Sequence, residues 1–293
     1  ESELPEKAKK LLSFTDNRQD ASLQAGHFND FVEMGLLRSA LYRAMERMGG
    51  EQGLNYDDLV LSVEKMMNLP IHLYSRDEDL RGPALDETRR ALRSVLRYSL
   101  YRDLERDWRV TSPNLEQCGL LKIAYRGIDE CVNDQAFWEN PPAKNESKPH
   151  PLLTTANPEQ RKRIILALLD HLRRSLAIKE DSLNATSQEK ISEQSRQRLR
   201  EPWPIEDARD MTKSATAWPR SKVAGDRGYN DIFISPQSSF GQFLSRPGIL
   251  PDAGEKLTLE ARGILIHDLF RCLRPWWGDE QDLSSSPTRH CSG

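Results

Sequence analysis

Lys10-Leu11-Leu12-Ser13-Phe14-Thr15-Asp16-Asn17-Arg18-Gln19-Asp20-Ala21 is the stretch from which the rest of the chain is read. Leu11, Leu12 and Phe14 form a short apolar run of buried-strand length. Polar and charged residues follow at once, and a long helical pattern then begins. A buried strand delivering Thr-Asp-Asn-Arg-Gln to the mouth of a helix is how α/β sheets present polar groups at their carboxyl edge. The same spacing also fits an ordinary strand-to-helix turn that carries no chemistry.

Working outward, Leu23, Phe28, Phe31, Val32, Leu36, Leu37, Leu41, Ala44 and Met45 recur at three- and four-residue steps, which predicts helix over 20–48. Gly35 is read as a break or kink within it, and Gly49-Gly50 as its end. Asn55 is an N-cap for a helix to about Met67, with Asp57 and Asp58 in the first turn. Pro83 opens another helix, to about Arg106, burying Leu85, Leu92, Val95, Leu96, Leu100 and Leu104. Its other faces are rich in arginine. Arg89, Arg93 and Arg97 are spaced i, i+4, i+8 and form one row. That row is either a solvated face paired with nearby acids such as Asp86, Glu87 and Asp103, or a ridge that contacts phosphates.

Leu120 to Tyr125 reads as a short strand and Ile128 to Trp138 as a brief helix. Residues 139–156 are rich in proline, lysine and serine and read as a linker between domains. Asn157-Pro158-Glu159 starts a helix running to about Ile178, with Ile164, Ile165, Leu168, Leu169, Leu172 and Leu176 buried. Residues 186–200 suit a helix poor in apolar side chains and so exposed. Ile232-Phe233-Ile234 is the one strand candidate in 211–251. Thr258 caps a last helix that Pro275-Trp276-Trp277-Gly278 terminates, and the Ser-rich tail over 278–293 is expected to be disordered. The fold class is mainly α, with a few short strands. The C-terminal half, 157–277, fits a winged-helix-like module and fits a plain helical bundle equally well.

Composition excludes more than it selects. The 293 residues carry a net charge of -3 with 30% charged side chains, so a nucleic-acid surface would have to be a local patch. No 18-residue apolar run and no signal-peptide pattern occurs, so a soluble, cytoplasmic protein with no membrane partner is expected. The N-x-S/T triplets at Asn145 and Asn184 then carry no glycan. Cys118, Cys131, Cys272 and Cys291 form no CxxC pair and read as free thiols. No phosphate loop, dinucleotide fingerprint, nucleophile elbow or H-E-x-x-H is present. His27, His72, His171 and His267 stand alone. Asp279-Glu280-Gln281-Asp282 fits a D-E-x-D pattern, but it lies in a polar tail with no strand to hold it over a magnesium ion.

Phe14-Thr15-Asp16-Asn17-Arg18 resembles the F-x-x-[ST]-R segment, motif IV, that opens the second RecA-like domain of superfamily 2 helicases. The longer run from Leu11 to Ser22 is similar to the version in large DEAD/DEAH-box helicases of bacterial genome-maintenance and phage-defence type. Thr111 to Leu121 also looks like a segment of that group. The specific likeness covers about residues 10–30. It implies that 1–35 begin a RecA-like α/β motor domain and that 36–138 are a helical insertion. It further implies backbone contacts to nucleic acid, DNA rather than RNA, from Thr15, Asn17, Arg18 and Gln19, with Arg18 as the phosphate-binding cation.

Asn17 stands where the family has Ser or Thr, which keeps a donor but changes the contact. Within the chain, Arg18 could instead pair with Asp16 or Asp20. The family's nucleotide-binding loop, magnesium-binding acids and arginine-finger motif are absent, so ATP and Mg2+ would be bound by residues of the parent protein outside this chain. The initial Glu, and a strand at the very start, suggest a segment of something longer. Its partners would be nucleic acid, the remainder of the helicase and further protein subunits. The alternative is a helical protein–protein interaction module with no nucleic-acid role, in which the arginine row meets a partner's acids.

Overall fold

The computed structural model describes residues 18–50, 53–105, 113–139, 148–226, 228, 230–251 and 257–277. They are mainly helical. Leu11–Phe14, the expected opening strand, and the tail beyond Trp277 lie outside them. No helix among them is long and apolar enough to cross a membrane.

These residues form two compact units, each discontinuous in sequence, whereas the sequence suggested consecutive blocks separated at 139–156. The first unit comprises the described residues up to Leu100, with Gln117–Leu121 and Gln188–Arg209. Helix α1 runs unbroken over Arg18–Met48. The expected break at Gly35 does not occur, and a Cβ there would meet nothing within 4 Å. The glycine sits on an open face and costs the helix only its intrinsic penalty, roughly 1 kcal/mol. Gly50 takes a left-handed φ of 52° and ends the run.

Helix α2, Tyr56–Met67, starts where Asn55 predicts, and the Asn55 side chain accepts from the Tyr56 N–H at 2.9 Å. Its buried Val60 and Val63 pack with the stripe Met34, Leu37, Leu41 and Ala44 of α1. Helix α3, Pro83–Arg102, buries Ala91, Leu92, Val95, Leu96 and Ser99 at helical spacing.

The unit closes with a returning segment. The Arg76 N–H donates to the Arg198 carbonyl and the Arg200 N–H to the Tyr74 carbonyl, both at 3.0 Å. Trp203 Nε1 donates to the Leu73 carbonyl at 3.0 Å, across 130 residues. The helix expected to be exposed over 186–200, Ala185–Arg198, instead buries Gln188, Ile191, Ser192 and Ser195. Small hydroxyls make that face buryable. Ser195 Oγ donates to the Ser192 carbonyl and accepts from the Ile205 N–H, while Ser192 Oγ donates to the Ile205 carbonyl.

The second unit holds the rest. Helices Ile128–Asn133 (α4), Gln135–Glu139 (α5) and Pro151–Thr154 (α6) precede Pro158–Arg174 (α7); counting Ala185–Arg198 as α8, Ser239–Phe243 (α9) and Leu259–Trp277 (α10) follow. Their core includes Trp138, Leu153, Ile164, Ile165, Leu168, Phe240, Leu265, Leu269 and Phe270. Part of the expected linker therefore belongs to the core: α6 buries Leu153, which links 148–156 to α7.

Asn157 and Gln160 form a reciprocal capping box at the start of α7. This helix stops short of Ile178, as the Ala177 N–H returns to the Leu172 carbonyl and Leu176 adopts φ 53°. Leu120–Tyr125 is not a strand. An apolar run without a partner strand has nowhere to place its backbone bonds in a ladder. Helix α10 is capped by Thr258, whose Oγ1 accepts from the Ala261 N–H, and it continues past Pro275 to Trp277.

Two short strands, Thr216–Trp218 (β1) and Asp231–Phe233 (β2), pair in parallel with Ala217 opposite Ile232 and Trp218 opposite Phe233. Alternation sends Ala217, Ile232 and Ile234 toward the core and Trp218 and Phe233 to the other face.

Candidate nucleic-acid interface

The sequence concentrates its candidate contacts at the mouth of α1 and along α3. Helix α1 begins at Arg18, with Gln19 second. Thr15 and Asn17 lie outside the described residues. The first N–H groups of a helix lack intrahelical acceptors and carry the positive end of its dipole, so a helix N-terminus suits an anion.

Arg89, Arg93 and Arg97 share one side of α3, but they are not a row of uncommitted cations. Arg93 Nε donates to Glu64 Oε2 of α2 at 2.5 Å, with side-chain exposures of 38% and 20%. Tyr74, hydrogen-bonded to Arg89, holds that guanidinium above its usual pKa; burial opposes this, and the charges of Glu64 and Asp86 reinforce it. Arg97 is half-buried and also engaged. The acids expected to pair here were Asp86, Glu87 and Asp103. Glu64, 29 residues away on another helix, has that role for Arg93, and Glu87 instead pairs with Arg198. A phosphate approaching Arg93 would compete with Glu64.

Two further arginines, which the sequence analysis did not single out, are buried. Arg161 is 2% exposed. Its Nε, Nη1 and Nη2 donate to the carbonyls of Leu153, Val132 and Thr154 at 3.2, 3.3 and 2.8 Å. These carbonyls lie at the C-terminal ends of α4 and α6, where helices leave acceptors unpaired and the dipole is negative. Arg161 is in phase with Ile164, Ile165, Leu168 and Leu172, which is the signal that marks it as inward-facing.

Arg173 donates from both terminal nitrogens to Glu116, at 2.9 and 2.7 Å, and from Nε to the Tyr125 hydroxyl at 3.0 Å. Tyr125 in turn donates to Asp170 Oδ1 at 2.7 Å. Burial, and then this bond to Asp170, push the Tyr125 hydroxyl well above its ordinary pKa. Both clusters are internally satisfied and hold the second unit together.

No group of three or more His, Cys, Asp or Glu side chains among the described residues is placed to hold a metal ion. Cys131 and Cys272 are free and buried, Cys118 free and exposed; burial pushes the Cys131 thiol to about 11, so it stays protonated and unreactive. An open polar hollow is lined by Gln135, Glu139, Lys148 and 154–158. Its amides and hydroxyls are used internally: Gln135 Nε2 donates to Glu139 and to the Thr154 carbonyl, and Thr155 Oγ1 to the Pro151 carbonyl.

Comparison with known protein families, with curated proteins and with solved structures found no match to this chain.

Proposed function

We propose that this chain is part of an ATP-dependent superfamily 2 helicase or translocase, gripping the backbone of a nucleic-acid strand, DNA rather than RNA, without hydrolysing ATP itself. The observation that supports the reading is that Arg18 and Gln19 are the first described residues of α1 and follow the Leu11–Asn17 run that resembles motif IV. On this reading the two side chains would stand beside helix N–H groups able to take a phosphate. ATP and Mg2+ would be bound by the remainder of the parent protein, which is a partner of this segment in the cytoplasm.

The RecA-like start over 1–35 and the helical insertion after it belong to the same proposal. The parallel pairing of β1 and β2 counts against a winged-helix-like C-terminal half, because a wing is an antiparallel hairpin.

Fluorescence anisotropy of labelled oligothymidylate, titrated with the chain across a salt series, tests the reading. Binding should weaken with salt, and Arg18→Ala should lower affinity and reduce the log–log salt slope by about 0.7. An absence of binding at low salt, or an Arg18→Ala variant identical to the parent, would sink it.

A second reading is a helical module that docks a protein partner. It is favoured by the exposed apolar side chains Val32 and Leu36, 56% and 44% exposed one turn apart on α1, and by the engagement of Arg93 with Glu64. Loss of a protein complex on Leu36→Asp, with DNA affinity intact, would support it.

A further inference from the structure

We propose a second nucleic-acid contact, on the face of the β1–β2 pair that points away from the core, where one nucleobase of a single strand stacks and its phosphate meets Lys222. The proposal rests on the nucleic-acid reading above but uses a different part of the chain.

The core does not require this face. Ala217, Ile232 and Ile234 satisfy it from the other side of the sheet. Yet the outer face carries a cross-strand aromatic pair, Trp218 opposite Phe233, both only half-buried. Arg220 lies over the two rings together, its Cζ 5.2 Å from each ring centre. Lys222 Nζ is 5.9 Å from the Phe233 ring centre.

The two cations have different roles. Asp226 binds Arg220 through both oxygens, Nη1 to Oδ2 at 2.8 Å and Nη2 to Oδ1 at 2.9 Å, and accepts from the Val223 N–H at 2.7 Å. Those bonds hold the Asp226 carboxyl down at about 2, so it stays charged and keeps Arg220 in place at any working pH. Arg220 is thus a neutralised, oriented plane. Guanidinium planes and aromatic rings both accept stacked bases, and base stacking is tolerant of sequence. Lys222 is exposed and has no carboxylate within ion-pair distance among the described residues, which leaves its charge for a phosphate. Aromatic surface with an adjacent unpaired cation fits a single-stranded nucleic acid. An acidic peptide would use the cation and leave the rings idle.

The test uses the full chain and oligothymidylate, read by anisotropy and by intrinsic tryptophan fluorescence. The strand should quench part of the fluorescence, and Trp218→Phe should remove that part. The Trp218 indole N–H is buried and has no acceptor among the described residues, so the exchange removes no hydrogen bond. Phe233→Leu removes one of the two rings that lie against the Arg220 plane and should weaken binding about fivefold, the lower end for one lost base stack. Lys222→Glu, at an exposed position, should weaken it about tenfold at low salt.

If Arg18→Ala weakens binding while Lys222→Glu and Phe233→Leu bind as the parent, this contact is wrong and the α1 contact stands. The reverse pattern leaves this contact standing alone. Absence of any single-strand binding removes both. Polyglutamate competing as well as DNA, with the same loss of quenching, would overturn the stacking assignment.

Discussion

The Arg161 guanidinium carbon lies 5.1 Å from the centre of the Trp138 ring, and the two side chains are buried together. No carboxylate among the described residues lies within ion-pair distance of Arg161. Three backbone carbonyls and the ring face compensate the charge in its place, while burial lowers its pKa from the usual value. This arrangement joins α4, α5, α6 and α7 through one side chain.

Removing that side chain takes the guanidinium from the buried carbonyls of Leu153 and Val132 and leaves a cavity, while the Thr154 carbonyl keeps its bond from Gln135. Each unsatisfied buried group costs about 1–3 kcal/mol and the cavity adds to that, so Arg161→Ala should destabilise by about 3 kcal/mol. Arg161→Lys keeps the charge but presents one donor group where three directions are needed, and should cost about 2 kcal/mol. Urea denaturation measures both. A loss under about 1 kcal/mol for Arg161→Ala would mean that water replaces the guanidinium.

Glu116 gives the second unit a dependence on pH. Burial alone would raise its pKa, but the bonds from Arg173 and Arg174, and then their charges, outweigh burial and bring it below the ordinary value of 4.5. A depressed folded-state pKa contributes stability above the unfolded value that is lost as pH falls through the folded one. The urea midpoint should therefore drop as the solution is acidified below about 4.5. In Glu116→Gln this part of the acid sensitivity should vanish. Glu116→Ala should cost about 2 kcal/mol at neutral pH, because the buried Arg173 loses its bidentate partner and keeps only the Asp170 carboxylate, at 3.2 Å.

Gly35→Ala should stabilise α1 by about 0.5–1 kcal/mol, since an open helical position gains by losing unfolded-state freedom. Gly241→Ala is the contrast. Its Cβ would come within 2.4 Å of the Pro236 carbonyl oxygen and 2.5 Å of that of Ser235, so thermal stability should fall. Paired melting curves decide both.

Glu64 restrains Arg93, and both side chains are partly open to water. Their coupling in a double-mutant cycle should stay under about 1 kcal/mol. Glu64→Gln should raise single-strand affinity about two- to fivefold if the α3 row meets phosphate. Unchanged affinity would assign the row to the surface of the fold alone.

Explicit start signals made several elements legible in the sequence. Asn55 before α2, Asn157-Pro158 before α7 and Thr258 before α10 each announce a helix through capping chemistry. The elements that were not legible lack an apolar signature. The buried stripe of α8 is written largely in Gln188, Ser192 and Ser195, and the two serines are satisfied by bonds to Ile205 beyond the helix end. Strand β1 is only Thr216-Ala217-Trp218 and acquires its identity from β2. Leu120–Tyr125 shows the opposite error, a strand-like composition with no strand to pair with. For the candidate site, periodicity put Arg89, Arg93 and Arg97 on one face correctly. It could not reveal Glu64 or Tyr74, which come from other segments.

The return of 188–209 to the first unit has a topological consequence. Trp203 meets Leu73 across 130 residues, and closing so long a loop in an otherwise unfolded chain carries a length-dependent entropy on the order of 4 kcal/mol. Prior folding of the intervening residues shortens the effective loop and removes much of that penalty. A truncation anywhere between 101 and 187 deletes Leu199 and Trp203 and leaves the first unit unclosed. Neither unit can therefore be completed from its own first stretch of chain: the first waits for Trp203 to be made, and the second for the core residues Leu265 to Leu273.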